Sequence, residues 1–271
     1  MWRAPAGGSP LRLRFLGGYA GDDSHALHHS RHDPENLAAM NPTLDIAQAR
    51  FNMIEQQIRP WDVLDQDVLD LLQVVRREEF VPQAQRQLAF SDLEIPLPGS
   101  ASSGSAGSGL TAGAAMWSPK LEARGLQELR IKSHDKALEI GAGSGYFAAL
   151  LAHRCRSVTS VEIAPLLKTL AEKNLKAAGI SNVKVVAGDG AQGFGREEFD
   201  VIVLSGSTPA VPDALLLQLA NGGRLFAVVG DAPAMTARIY TRSADGVAVQ
   251  DLFETVLTPL HNAAQPPRFK F

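Results

Sequence analysis

A glycine-rich turn is the first feature of this sequence that could do chemistry. The run Gly141-Ala-Gly143-Ser-Gly145 stands between a short apolar stretch and a helical one. Glycines in such a turn permit positive φ angles and let a ligand approach the backbone closely. Acidic residues accompany the turn at three points of the chain: Glu139, Glu162 and Asp189, the last followed by Gly190. We expect the turn and these acids to bind one polar or charged ligand.

A dinucleotide and S-adenosylmethionine are the two ligands that suit a turn of this kind. Both carry a ribose, whose hydroxyls Glu162 can accept, and an adenine, whose edge Asp189 can reach. A dinucleotide turn prefers a further glycine three residues after Gly143, where this chain has Tyr146. Glu139 would repel a pyrophosphate, whereas it suits the cationic methionine end of S-adenosylmethionine. S-adenosylmethionine is therefore the expected cofactor, and Glu-x-Gly-x-Gly-x-Gly resembles the motif of class I methyltransferases. The predicted cofactor-binding residues are Glu139, Gly141, Gly143, Gly145, Glu162, Asp189 and Gly190.

Alternating strands and helices must position these residues. Apolar runs predict strands at 137–140, 157–162, 183–187, 199–204 and 223–229, with helices at 146–153, 165–178 and 212–219 between them. Strands separated by helices pair in parallel through right-handed crossovers. Asp245-Gly246 lies between two further strand patterns, 237–241 and 247–257, and predicts a hairpin. The expected fold class is α/β: a Rossmann-like, doubly wound, mostly parallel sheet with an antiparallel C-terminal hairpin.

The first half of the chain differs in composition and pattern, and its sequence predicts two further regions. Residues 1–39 are crowded with Gly, Pro, Arg and His and are expected to be a disordered tail. Residues 40–134 are expected to form a helical extension on the substrate side, with helices over 45–58 and 63–75. Within it, the Ser/Gly/Ala run 100–109 predicts a mobile loop. Ser118 before Pro119 predicts a helix start, and that helix should run to 129. Residues 135–271 then form the cofactor-binding domain.

Charge and composition narrow the classes of partner. The formal net charge of -3 offers no basic field for a phosphate backbone, so nucleic acid is not expected as a substrate. No apolar run reaches the roughly 18 to 20 residues that a membrane-spanning helix needs. The single cysteine, Cys155, allows no intramolecular disulfide, and no Cys/His cluster has zinc-site spacing. We expect a cytoplasmic monomer that uses neither a metal nor a membrane.

Several stretches beyond the glycine turn resemble one family closely. They are Arg50-Phe-Asn-Met-Ile-Glu-Gln-Gln-Ile-Arg59, Arg76-Arg-Glu-Glu-Phe-Val-Pro82, Leu138 to Tyr146, Val161-Glu162, Gly188-Asp189-Gly190 and Phe199-Asp-Val-Ile-Val203. Over about 46–260 their order is similar to that of the protein-L-isoaspartate O-methyltransferase family. The resemblance implies methyl transfer from S-adenosylmethionine to the carboxylate of an isoaspartyl residue, the first step of protein repair. It also implies that the partners are damaged proteins or peptides.

One motif departs from the family pattern. The family has Thr-Ile-Ser-Gln-Pro before a helix, and its two hydroxyls hold the substrate carboxylate. When that proline is aligned with Pro119, the threonine falls on Ala115 and the serine on Trp117. Alanine has no hydrogen-bonding group, and an indole nitrogen only donates, from a much bulkier ring. Ser118 lies one residue away and is the candidate catalytic residue, although helix capping competes for it. We therefore expect intact cofactor binding with weak, altered or absent isoaspartyl activity.

Three alternatives remain open from the sequence. The chain could be a methyltransferase of the same descent with a different acceptor, or a non-catalytic protein that binds S-adenosylmethionine. A nicotinamide-dependent oxidoreductase is the third alternative. In that case the nicotinamide nucleotide would raise the melting temperature of the protein.

Overall fold

A computed structural model describes residues 45–100 and 109–263 of the chain. The predicted disordered tail, 1–39, and most of the predicted mobile loop, 100–109, lie outside these ranges. The division into an extension of 40–134 and a cofactor domain of 135–271 stays a prediction. Within the described ranges, no helix is both long and apolar enough to cross a membrane.

Short helices and one strand pair build the first half of the described chain. Their bounds are α1 Ile46–Met53, α2 Gln66–Val74, β1 Ile95–Pro96, β2 Ala115–Met116 and α3 Pro119–Leu129. The predicted first helix continues past α1 as a π-helical turn over Ile54–Ile58. Asp45 and Asp65 cap α1 and α2, because each side chain accepts hydrogen bonds from two amides of the first turn. Helix α3 has the predicted bounds, with Pro119 in its first turn.

A seven-stranded sheet forms the second half. Its strands and helices are β3 Lys136–Ile140, α4 Tyr146–Arg154, β4 Ser157–Glu162, α5 Pro165–Ala177, β5 Val183–Ala187, β6 Phe199–Thr208, α6 Asp213–Leu217, β7 Leu219–Asp231, β8 Ala234–Ser243 and β9 Gly246–Glu254. The strand order is β5-β4-β3-β6-β7-β8-β9. The first five strands in this order are parallel, and β8 and β9 are antiparallel additions. The predicted α/β fold and its C-terminal hairpin are confirmed.

The direction of winding reverses at β3. From β3 the chain winds outward through β4 to β5, and it then returns to place β6 on the other side of β3. In open α/β sheets ligands bind at such a reversal, outside the carboxyl ends of the strands. Leu138 and Ile140 of β3 are buried in the core. The sheet therefore places the carboxyl ends of β3, β4, β5 and β6 around one cleft.

Strand β6 is longer than its predicted span of 199–204. It continues to Thr208, because Ser207 and Thr208 pair with Val228 and Val229 of β7. The backbone of Ser207 also donates to Thr258 and accepts from Leu260. A segment from the far end of the chain thus adds a further bridge at the end of this strand. The apolar run used for the prediction ends at Leu204 and carries no signal for it.

Candidate active site

A cleft of about 1010 Å³, part of it open to solvent, lies at the carboxyl ends of β3, β4, β5 and β6. Six of the seven predicted cofactor-binding residues line it: Glu139, Gly141, Gly143, Glu162, Asp189 and Gly190. These residues come from three strand ends that are up to about fifty positions apart in the sequence. The parallel sheet brings them to one edge, as the alternation of elements predicts.

The glycine turn has the backbone that its composition suggests. Gly141, Gly143 and Gly145 have φ angles of 99°, 54° and 83°, in the region that favours glycine. Gly145 is not among the described residues of the cleft wall; it caps α4 instead. A Cβ atom there would lie 3.2 Å from both Cα and the carbonyl oxygen of Ala171 in α5. Gly145 therefore allows α4 and α5 to pack closely.

Glu162 holds the turn against the end of β4. Its Oε2 atom accepts a 2.9 Å hydrogen bond from the amide of Gly143, and its Oε1 atom accepts one of 2.9 Å from the amide of Ala164. Each carboxylate oxygen has a second lone pair, which is free to accept a ligand hydroxyl. This carboxylate can therefore position the turn and bind a ligand at the same time.

Glu139 is a buried acid on the cleft wall. Ser160 and Ser205 donate hydrogen bonds to its carboxylate, the second of them 3.3 Å long. Burial raises the pKa of Glu139 to about 8; the two serine bonds oppose this shift, and the negative charge of Glu162 adds to it. A cation bound in the cleft would favour the ionised form. Glu139 is thus suited to a positively charged group.

Asp189 is linked to the C-terminal end of the described chain. Its Oδ1 atom accepts a 3.0 Å bond from the amide of Ala191, and its Oδ2 atom accepts a 2.7 Å bond from the side chain of Asn262. The segment that carries Asn262 also lines the cleft, through Leu257, Thr258, Pro259, Leu260 and His261. Sequence analysis missed this segment, because it contains no motif and its position depends on pairing with Ser207.

Part of the cleft wall is apolar, and this part is called the apolar side below. Ala115, Met116 and Trp117 line it, at the positions where the family pattern has its two hydroxyls. The Trp117 ring packs against Phe147 and Phe226, with centroid distances of 5.2 and 6.0 Å. Neither Ala115 nor Trp117 offers a hydroxyl to a ligand.

Ser118 occupies the N-cap position of α3, as predicted. Its side chain makes no capping hydrogen bond with the described residues. It is also absent from the part of the cleft wall that the structure describes. The structure therefore does not bring this candidate catalytic residue to the acids, and its role stays a prediction.

A buried ion pair stands behind the apolar side. Nε of Arg77 donates a 3.0 Å bond to Oε2 of Glu122, and the rest of the guanidinium donates to the carbonyls of Ala89 at 2.8 Å and Trp117 at 2.6 Å. Glu122 lines the cleft, although only 2% of the residue is exposed. Burial raises its pKa to about 7, against the opposing charge of Arg77. Nothing in the local sequence marks Glu122 as a cleft residue, because a glutamate within a helix is usually solvated.

Solved structures share this architecture. A protein-L-isoaspartate O-methyltransferase has a TM-score of 0.63 at 22% identity, over 79% of this chain and 65% of that chain. A putative protein-L-isoaspartate O-methyltransferase from Plasmodium falciparum, crystallised with S-adenosyl-L-homocysteine, has a TM-score of 0.62 at 19% identity, over 79% of this chain and 97% of that one. The fold is that of the class I S-adenosylmethionine-dependent methyltransferases.

Sequence comparison defines the family within that class. Residues 48–265 match the family of protein-L-isoaspartate (D-aspartate) O-methyltransferases, and the chain belongs to it. A protein-L-isoaspartate O-methyltransferase of Methanoculleus marisnigri is 40% identical over 182 residues, which are 67% of this chain and 77% of the relative. Protein-L-isoaspartate O-methyltransferase 1 of Rhodopseudomonas palustris is 35% identical over 234 residues, 85% of this chain and 89% of the relative. The resemblance noted from the sequence is confirmed.

Proposed function

We propose that this chain transfers a methyl group from S-adenosylmethionine to the carboxylate of isoaspartyl residues in damaged proteins or peptides. Membership of the family supports the reaction. The observation that carries the proposal is the meeting of Glu139, Glu162 and Asp189 with the glycine turn in one cleft. Three acids around a turn suit a ligand that combines a cation, a ribose and an adenine.

The donor set fits S-adenosylmethionine in charge and in hydrogen bonding. Glu162 would accept the ribose hydroxyls with its free lone pairs, and Asp189 would accept from the adenine amino group. Glu139, once ionised, would offset the positive charge at the methionine end. When bound, the cofactor supplies a methyl group on a cationic sulfur. The glycines would let that ligand lie close to the backbone.

The protein has to position the acceptor carboxylate, but it does not have to activate it. A carboxylate with a pKa near about 4 is ionised at neutral pH and needs no strong base. Holding two reactants in place can contribute roughly 7 to 11 kcal/mol to the lowering of a barrier. Because Ala115 and Trp117 offer no hydroxyls, we expect slower isoaspartyl turnover than in relatives that have them, with cofactor binding unaffected.

Two measurements test the proposal. Calorimetric titration with S-adenosylmethionine tests the cofactor site, and methanol release from an isoaspartyl peptide tests the reaction. A peptide with ordinary aspartate at the same position is the control, which should release no methanol. Failure to bind the cofactor at millimolar concentration would refute the proposal. Turnover equal to that of a relative with both hydroxyls would contradict the expected slowing.

A second candidate is a methyltransferase with a different acceptor. The apolar wall formed by Ala115, Met116 and Trp117 favours it, since such a wall suits a less polar molecule. Labelled cofactor incubated with cell extract would distinguish the two candidates by the chemical identity of the methylated product. Label found only in base-labile protein methyl esters supports the first candidate.

The proposal also includes a monomer in the cytoplasm that binds neither nucleic acid nor membranes. The net charge of -3 supports the exclusion of nucleic acid. Light scattering would test the monomer, and fractionation of cells together with binding to DNA and to vesicles would test the rest.

A further inference from the structure

Ala115, Met116 and Trp117 share the cleft wall with a buried carboxyl group, that of Glu122. It lies in α3, the helix that follows the strand pair with Ala115. Glu94 also lines the cleft, but it is exposed, and partial burial raises its pKa. A buried polar group at an otherwise apolar wall needs a partner, because leaving it without one is unfavourable.

The two oxygens of Glu122 have different surroundings. Oε2 accepts from Nε of Arg77, and no described residue donates to Oε1. The same guanidinium donates to the carbonyl of Trp117, the position where the family has its serine. One arginine side chain therefore connects the Glu122 carboxyl group to that position. Arg77 is itself 1% exposed and is not among the described residues of the cleft wall.

We propose that protonated Glu122 donates a hydrogen bond from Oε1 to the acceptor carboxylate, and so replaces the hydroxyls missing at Ala115 and Trp117. This inference rests on the proposed function, because it names how the same site holds the isoaspartyl group. Oε2 keeps its bond to Arg77 in this state. A single proton shared between two carboxyl groups is a known way of placing them side by side.

Burial favours the neutral form of Glu122, whereas the positive charge of Arg77 opposes it. Arg77 faces it directly, Tyr146 of α4 lies beside it, and the buried pair of Arg50 and Glu78 is close enough to act on the same tyrosine. Lys120 and Arg124 of α3 pair elsewhere, with Asp92 and with Glu128. Glu139, Glu94 and His261 are further titratable residues that line the same cleft.

Proton uptake is the expected consequence of acceptor binding. Burial already raises the pKa of Glu122 to about 7, with Arg77 lowering it. An anionic acceptor beside this group would raise the pKa further, because like charges disfavour ionisation. The isoaspartyl carboxylate itself stays ionised throughout the neutral range. Acceptor affinity should therefore fall as pH rises above 7.

The test is calorimetric binding of an isoaspartyl peptide to protein saturated with S-adenosylhomocysteine, at pH 6 and pH 8.5. For the unmodified protein we expect the dissociation constant to rise on the order of tenfold between these values. Glu122→Gln keeps an N–H donor and an oxygen for Arg77, so it should bind the peptide with little dependence on pH. Glu122→Ala should weaken binding at both pH values. Glu139 titrates in all of these proteins, so the difference between them isolates Glu122.

Controls separate this inference from the proposed function. Glu128→Gln lies on the same helix outside the cleft wall and should behave like the unmodified protein. Thermal melting and S-adenosylhomocysteine titration check that each variant is folded.

Three outcomes would contradict the inference. If Glu122→Gln bound the peptide as poorly as Glu122→Ala, the role of Glu122 would be overturned and the proposed function would remain intact. If Thr258→Val lost more affinity for the peptide than Glu122→Ala, the Thr258 hydroxyl and not Glu122 would be the group that binds the acceptor carboxylate. Absence of cofactor binding in the unmodified protein would overturn both.

Discussion

The side-chain amide of Asn262 donates a 2.7 Å hydrogen bond to Oδ2 of Asp189. This bond ties the segment Leu257 to Ala263 to the carboxylate that is proposed to contact adenine. The backbone of the same segment pairs with Ser207 at the end of β6. The C-terminal segment thus forms one wall of the cleft and is held at two places.

Removing this hydrogen bond should make the C-terminal wall of the cleft more mobile. We expect Asn262→Ala to speed the release of S-adenosylmethionine a few-fold, because a hydrogen bond to a charged group contributes roughly 1 kcal/mol when exposed. Stopped-flow displacement would measure the dissociation rate. Asn221→Ala, an exposed change at the other end of the sheet, is the control. An unchanged rate in the Asn262 variant would show that the bond has no part in retaining the ligand.

Gly145→Ala should destabilise the fold more than its backbone angle alone explains. The φ angle of 83° is unfavourable for alanine by about 1 kcal/mol, and the contacts with Ala171 and Leu175 at 3.2 Å add about 1 to 3 kcal/mol. Gly179→Ala is a matched control, because its φ is 73° but nothing lies within 4 Å of a Cβ atom there. Urea denaturation gives both free energies of unfolding. Equal losses would rule out the packing contribution.

Arg77→Lys should be strongly destabilising although it keeps the charge. A lysine cannot reproduce the fork that serves Glu122, Ala89 and Trp117 together, and we expect a loss of about 3 kcal/mol. Arg76→Lys is the neighbouring control, because the partner of Arg76, Glu79, is exposed. This change should lower the free energy of unfolding by less than about 0.5 kcal/mol. Denaturation midpoints of the two variants decide the matter. Similar midpoints would mean that the buried fork contributes little.

Glu139→Gln should make ligand-free stability less dependent on pH. Burial raises the pKa of Glu139 to about 8, so the folded protein holds this proton more tightly than the unfolded chain does. The resulting stabilisation is complete below pH of about 4.3 and is lost, by up to roughly 1.4 kcal/mol per pH unit, as pH rises to 8. The variant should therefore lose less stability between pH 5 and 8. Denaturation across that range measures it, and identical slopes would contradict the assignment.

The same substitution should weaken cofactor binding. In the unmodified protein, affinity for cationic S-adenosylmethionine should increase from pH 6.5 to 9, because Glu139 binds a cation only when it is ionised. In Glu139→Gln this increase should be smaller, and at pH 8.5 the affinity should be roughly tenfold lower. Calorimetry measures both trends. Glu172→Gln, an exposed acid of α5 paired with Lys168, is the control and should bind normally.

Local pattern was sufficient for much of the fold. The predicted strands 157–162 and 183–187 have the same bounds as β4 and β5, and the predicted helix starting at Pro119 has those of α3. Apolar runs, a proline at a helix start and glycines at turns act over a few residues, so the sequence states them directly. Alternation of strands and helices then implies parallel pairing, which brings Glu139, Glu162 and Asp189 to one edge.

The contacts between distant segments were decided only by the tertiary structure. Arg77 and Glu122 are 45 residues apart, and Asp189 and Asn262 are 73 apart. No local period reports such pairs, because each partner alone has the pattern of an ordinary exposed residue. Packing buries Glu122 beside the cleft, and β6 pairing brings the C-terminal segment over it. The chain's residue types therefore determined the edge that is proposed to bind the cofactor, whereas long-range packing determined the wall that is proposed to face the acceptor.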